Sequence, residues 1–173
     1  MSRSNAAIKA LHTLTRDTVI PAKHFDRHVR EIIGRNHRLI AIVCASIVEV
    51  NLARLIKTFL RNGEGDLFDN RAPFSAFAAK IEVSYRLGLI DADVRRNANY
   101  LREIRNLFAH RIAPTSFRTR EVAAVCKLLA VNFPGFPEII GARERYWRAA
   151  LQTGKAINRR CAFGWEAQPA SLQ

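Results

Sequence analysis

Several things are scarce in this chain of 173 residues. It has three cysteines, Cys44, Cys126 and Cys161, an odd number spread too far apart for any pair to have metal-ligand spacing. A disulfide scaffold and a zinc module are therefore not expected, and no cofactor or metal is implied. Cys44 and Cys126 fall inside apolar helical patterns and read as small buried hydrophobes, consistent with a reducing compartment. No alternating β-branched and aromatic run is closed by turn dipeptides, so strands are not expected. Repeats and low-complexity tracts are missing. The most apolar run, 39–48, stops at Glu49 after roughly half a membrane span, and the N-terminus lacks the apolar core of a secretion signal. These absences point to a cytoplasmic protein with no membrane partner.

Acidic residues are also few, 15 Asp and Glu against 28 Lys and Arg, a net charge of +13. Residues 1–40 carry a surplus of five positive charges, 41–117 a surplus of three, and 118–173 again five. Basic flanks around a nearly balanced centre suit a polyanion, which binds by counterion release without base reading. Solubility alone is the blander explanation. The pI near 10.8 favours nucleic acid over mere solubility.

Helical periodicity is what the chain has in quantity. Ala7, Leu11 and Leu14 suggest a short basic helix that Pro21 interrupts, and 25–33 a second, ending at Gly34. The strongest helix is 36–60, capped by Asn36 and apolar almost all round, as a central helix is. After the polar loop 62–66, Pro73 fits a first helical position, with Phe74, Phe77, Ala78, Ile81 and Tyr85 on one face. Gly88 reads as a stop and Asp91 as the cap of the next helix, whose core stripe is Val94, Ala98, Leu101, Ile104 and Phe108. Pro114 ends it near residue 112. A helix over 117–131 turns Val122, Val125 and Leu129 inward, and the Phe-Pro-Gly-Phe-Pro run at 133–137 breaks it. A basic helix and a loose tail from residue 162 follow. The expected fold is an all-α, single-domain bundle: a basic helical extension over 1–35, a core over 36–133, and a basic C-terminal helix with its tail over 134–173.

The chemistry concentrates at residues 105–110, Arg-Asn-Leu-Phe-Ala-His. RNA brings its own nucleophile, so metal-free cleavage needs proton transfer and positive charge for the phosphorane. His110 suits proton transfer, and Arg105 suits two phosphate oxygens through its planar fork. Asn106 lies one turn before His110 on the same face, and Arg102 extends the polar stripe. Five residues of ideal helix subtend about 140°, so Arg105 and His110 meet only if the helix loosens or a two-fold dimer lines a cleft from both sides. Glu49, alone in the most apolar helix, needs a cation, and Arg105 is the candidate. The alternative stands beside the catalytic one: Arg105 neutralises Glu49 and His110 caps helix-end carbonyls.

Lys23, Arg27, Arg30, Arg143 and Arg148 are the further nucleic-acid candidates. His24 and His28 have the spacing of a zinc pair but no third ligand, and read as part of a basic helix face. Trp147 and Trp165 suit either packing or base stacking.

Four blocks then resemble the mannitol operon repressor family: Ser-Ile-Val-Glu-Val-Asn-Leu-Ala-Arg-Leu-Ile-Lys at 46–57; Leu67-Phe68 with Pro-Phe-Ser-Ala-Phe-Ala-Ala-Lys-Ile at 73–81; Tyr-Arg-Leu-Gly-Leu-Ile at 85–90; and the motif at 104–110. They cover roughly 65 residues in order. That family is similar to the wider HEPN helical domains, which include metal-independent RNases and RNA-binding regulators that often dimerise through their motif helices. The resemblance implies Arg105, Asn106 and His110 as the site, with Glu49 as the helical acid. It implies an RNA-binding regulator, possible cleavage, and a homodimer. Two alternatives are a non-enzymatic transcriptional co-repressor working through a protein partner or DNA, and the RNase toxin of a toxin–antitoxin pair.

Overall fold

The computed structural model describes residues 36–60, 67–69, 71–131 and 141–163, and the flanking basic segment 1–35 lies outside them. Among the described residues there are five helices and no strand: α1 His37–Phe59, α2 Phe77–Arg86, α3 Ala92–His110, α4 Arg120–Leu128 and α5 Ala142–Phe163. The all-α expectation holds.

Local signals set most of the helix ends. Asn36 Oδ1 accepts from Leu39 N–H at 3.1 Å and starts α1, and Asp91 Oδ1 accepts from Val94 N–H at 2.8 Å and starts α3. Gly88 ends α2 at φ 69°, the left-handed conformation open to glycine, and lets Leu89 and Ile90 fold back into the core.

Two boundaries differ from the sequence reading. Pro73 is not the first residue of α2; it sits in a turn closed by Ser75 N–H to Ala72 O at 3.0 Å, and the helix begins at Phe77. Helix α4 spans less than 117–131. Thr119 takes a non-helical conformation before it, at φ −56° and ψ 129°, and after it Asn97 captures the backbone of Ala130 from both sides: Nδ2 donates to Ala130 O at 2.9 Å and Oδ1 accepts from Ala130 N–H at 3.0 Å. That side chain draws the chain out of helical geometry.

Helix α1 is the hub, packed against α2, α3 and α5. The expected α3 stripe is inward: Ala98, Leu101, Ile104 and Phe108 are buried, with Val94 packed partly against them. The basic C-terminal segment, expected beyond the core, forms α5 and supplies Tyr146, Ala149, Ala150, Leu151 and Ile157 to the same cluster. Its small residues allow close approach to α1; a Cβ on Gly154 would meet Asn51 Nδ2 at 3.1 Å. Tyr146 is wholly buried, and its hydroxyl reaches Ala41 O at 2.8 Å and Leu101 O at 3.2 Å, tying α5 to both α1 and α3. Burial holds that phenol well above its ordinary pKa.

By length and composition α1 would suffice to cross a membrane, with a mean hydropathy of 2.1 over its most apolar 18-residue window. This corrects the expectation that the apolar run ends at Glu49. Half of that window is buried inside the bundle, which accounts for much of its apolar character as core.

Candidate functional site

Glu49 sits midway along α1, and its carboxylate receives two cations. Arg105 Nη2 from α3 donates to Oε2 at 3.0 Å, and Lys80 Nζ from α2 donates to Oε1 at 2.7 Å. Lys80 also donates to Ser75 O at 2.9 Å, which pins the turn before α2. The side chains of Lys80, Glu49 and Arg105 are 9%, 21% and 25% exposed, so solvent screens this triad only in part. One carboxylate thus joins three helices.

The Glu49–Arg105 pair was anticipated; Lys80 was not. Its signal was available, because Lys80 shares a helix face with Phe77, Ile81 and Ser84, all buried. A lone cation on an apolar face requires a counter-charge.

Arg105 is further engaged. Its Nη1 donates to Asn106 Oδ1 at 3.1 Å and its guanidinium lies 5.7 Å from the Phe77 ring centroid. Asn106 therefore orients the arginine. Arg102, a turn earlier, is half-buried and pairs with Glu103. His110 is exposed as the last residue of α3. The helix stays regular to its end, with Arg111 N–H bonding Leu107 O at 3.0 Å, so it does not loosen before Pro114. Arg105 and His110 consequently remain about 140° apart around the axis. The arrangement brings Glu49, Lys80, Arg105 and Asn106 together and leaves His110 aside. The carbonyl just past the helix end, Arg111 O, accepts from Arg38 Nη2 at 2.6 Å.

Among the other candidates, Arg143 is exposed at the start of α5. Arg148, expected on a nucleic-acid face, is buried instead and pairs with Glu144 one turn earlier; its position on the packed side of α5 withdraws it from a surface ligand. Trp147 packs partly against the core. Lys23, Arg27, Arg30, His24, His28 and Trp165 lie outside the described residues. Among the described residues no group of three or more His, Cys, Asp or Glu could hold a metal ion. Cys44 and Cys126 are buried, and burial pushes each thiol up to about 12.

His37, at the start of α1, was not singled out as a site residue. Its Nδ1 accepts from Phe117 N–H at 3.2 Å, and the imidazole pKa is lowered from 6.5 by burial first, then by the charges of Arg143 and Arg118. A cleft of about 600 Å³ opens between α3, α5 and the segment after α4. Much of its polar lining already serves the fold: Asp91 caps α3, Asn97 holds Ala130, and Arg145 Nη1 donates to Leu129 O at 3.3 Å.

Fold and site together define an all-α bundle whose motif arginine belongs to an internal three-helix ion cluster. Among solved structures, the chain is similar to one described as the X-ray structure of the MtlR–HPr complex from Escherichia coli, at a TM-score of 0.54 and 18% identity, over 80% of this chain and 96% of that one. At that identity the likeness shows a shared fold. No protein-family profile matches the chain, and no curated protein matches it by sequence.

Proposed function

We propose that this chain is a cytoplasmic regulatory protein of the mannitol-repressor type that acts by binding a protein partner rather than by chemistry. The observation that carries this reading is the shared fold with MtlR, a repressor captured in complex with another protein, HPr. The engagement of Arg105 with Glu49 supports it, because a guanidinium held by a carboxylate inside the bundle is poorly placed to grip a phosphodiester. Two assays on the full chain test it: calorimetric titration with purified HPr, and incubation with labelled RNA in EDTA. Saturable HPr binding and intact RNA are the expected outcome. RNA cleavage that disappears in His110→Ala, with no HPr binding, overturns the reading.

A second reading keeps nucleic acid as ligand, RNA ahead of DNA, and is favoured by the net charge of +13 together with the exposed His110 and Arg111 at the end of α3. It requires a homodimer across the α3 helices, so that His110 of one protomer approaches the arginines of the other. RNA binding whose affinity falls steeply with salt, by a protein that sediments as a dimer, is its signature.

A further inference from the structure

The segment that leads from the motif helix to α4, residues 111–119, is tied to the start of α1 by two hydrogen bonds. Arg38 Nη2 donates to Arg111 O at 2.6 Å, and Phe117 N–H donates to His37 Nδ1 at 3.2 Å. Other polar groups of the segment serve one another. Ser116 N–H donates to Thr119 Oγ1 at 3.2 Å, and Thr119 N–H donates to Ser116 O at 3.0 Å. Phe117 is the apolar anchor. It is buried, and its ring centroid lies 5.1 Å from those of Phe108 and Tyr146 and 5.6 Å from that of His37.

The bond to His37 admits one protonation state. A backbone N–H can only donate, so Nδ1 must offer a lone pair and the imidazole must be neutral. In the imidazolium both ring nitrogens donate, and no rotation of the ring restores an acceptor. The Phe117 N–H would then face a second donor beside a buried ring, which is costly. The charged groups around the imidazole act in the same direction. Arg143 from the start of α5 and Arg118 from the segment itself act on it, Arg38 follows it in α1, and the N-terminus of α1 adds its positive partial charge. Among the described residues no carboxylate is seen to act on it: Glu121 is exposed in the first turn of α4, and Glu144 pairs with Arg148.

We infer that His37 is a pH-sensitive latch: the neutral imidazole holds the connection between α3 and α4 against the start of α1, and protonation releases it. The connection begins one residue past the exposed His110, so the latch governs how firmly the end of the motif helix is moored. Burial and the arginine charges lower the imidazole pKa from 6.5 while the latch is closed, so the released form takes up the proton first. Opening is therefore least above that value and grows as pH falls below it. This reaches beyond the partner-binding reading and does not depend on it.

Amide hydrogen exchange of the full chain, followed residue by residue by NMR and corrected for intrinsic exchange, tests the latch. In wild type the Phe117 protection factor should fall by up to about tenfold per pH unit below 6.5, the limit for one linked proton. The amides of Leu52 and Leu101, buried in α1 and α3, should keep their protection over the same range. His37→Asn places an oxygen where Nδ1 stands and cannot titrate, so Phe117 should stay protected at every pH tested. His37→Phe keeps a ring against Phe117 without an acceptor, so protection there should be low throughout. Circular dichroism confirms that each variant is folded, and the wild-type profile alone decides if one is not. Protection of Phe117 that ignores pH overturns the inference. So does a fall shared equally by Leu52 and Leu101, which is global acid unfolding. A fall that persists in a folded His37→Asn assigns the proton to another group and overturns it too.

Discussion

Arg105 and His110 stand five residues apart on one helix, in opposite surroundings. The arginine is three-quarters covered, pairs with a carboxylate from another helix, and shares that carboxylate with a lysine from a third. The histidine is exposed on the last turn, and the carbonyl beyond it is held by Arg38. A motif that reads as one unit along the sequence is thus divided in space. The inner half organises the bundle; the outer half faces solvent. Short motifs define composition, but only the angle between side chains decides whether two groups act on the same atom.

The sharpest way to break this comparison is charge counting in the triad, which holds two cations and one carboxylate. Glu49→Gln leaves two partly buried cations facing each other and should cost about 3 kcal/mol in urea unfolding. Arg105→Met leaves a neutral Glu49–Lys80 pair and should cost less, about 1–2 kcal/mol, the worth of a charged hydrogen bond. Equal losses for the two variants would mean that the excess of cations over carboxylates does not set the cost.

Away from the motif, Tyr146→Phe should destabilise by about 1 kcal/mol, because the carbonyls of Ala41 and Leu101 lose a donor at the centre of the bundle. A smaller effect is expected from pH. His37 has a lowered pKa in the folded state, so the unfolded chain takes up a proton first as pH falls below 6.5. Its contribution is fully present above that value and is lost as pH drops towards the folded pKa. Denaturant midpoints should therefore shift downward on acidification below 6.5, and His37→Gln should reduce that slope. Smallest of all, His110→Ala should change stability by no more than about 0.5 kcal/mol, as exposed substitutions usually do.

Much of the architecture was legible in the sequence because local chemistry fixes it. Asn36 and Asp91 offer side-chain acceptors to free N–H groups, Gly88 allows a positive φ, and the α3 stripe repeats at helical spacing. What escaped depends on distant partners. The end of α4 is decided by Asn97, 33 residues away from the backbone it captures. The basic residues of α5 suggested a peripheral helix, yet one face of it carries Tyr146, Ala149, Ala150 and Ile157 into the core. Arg148 shows why charge alone misleads: an i, i+4 acid takes it out of the surface reading. Lys80 is hard to read from sequence because its counter-charge, Glu49, lies 31 residues earlier on another helix.

The double-mutant cycle between Glu49 and Arg105, read by urea unfolding of the single variants Glu49→Gln and Arg105→Met and of the double variant, most directly tests whether the motif arginine serves the fold. The account predicts a coupling energy above about 1 kcal/mol, with the double variant clearly more stable than the sum of the two losses implies. Additivity within about 0.3–0.5 kcal/mol, the behaviour of independent sites, would contradict it and return Arg105 to the pool of groups available for a ligand.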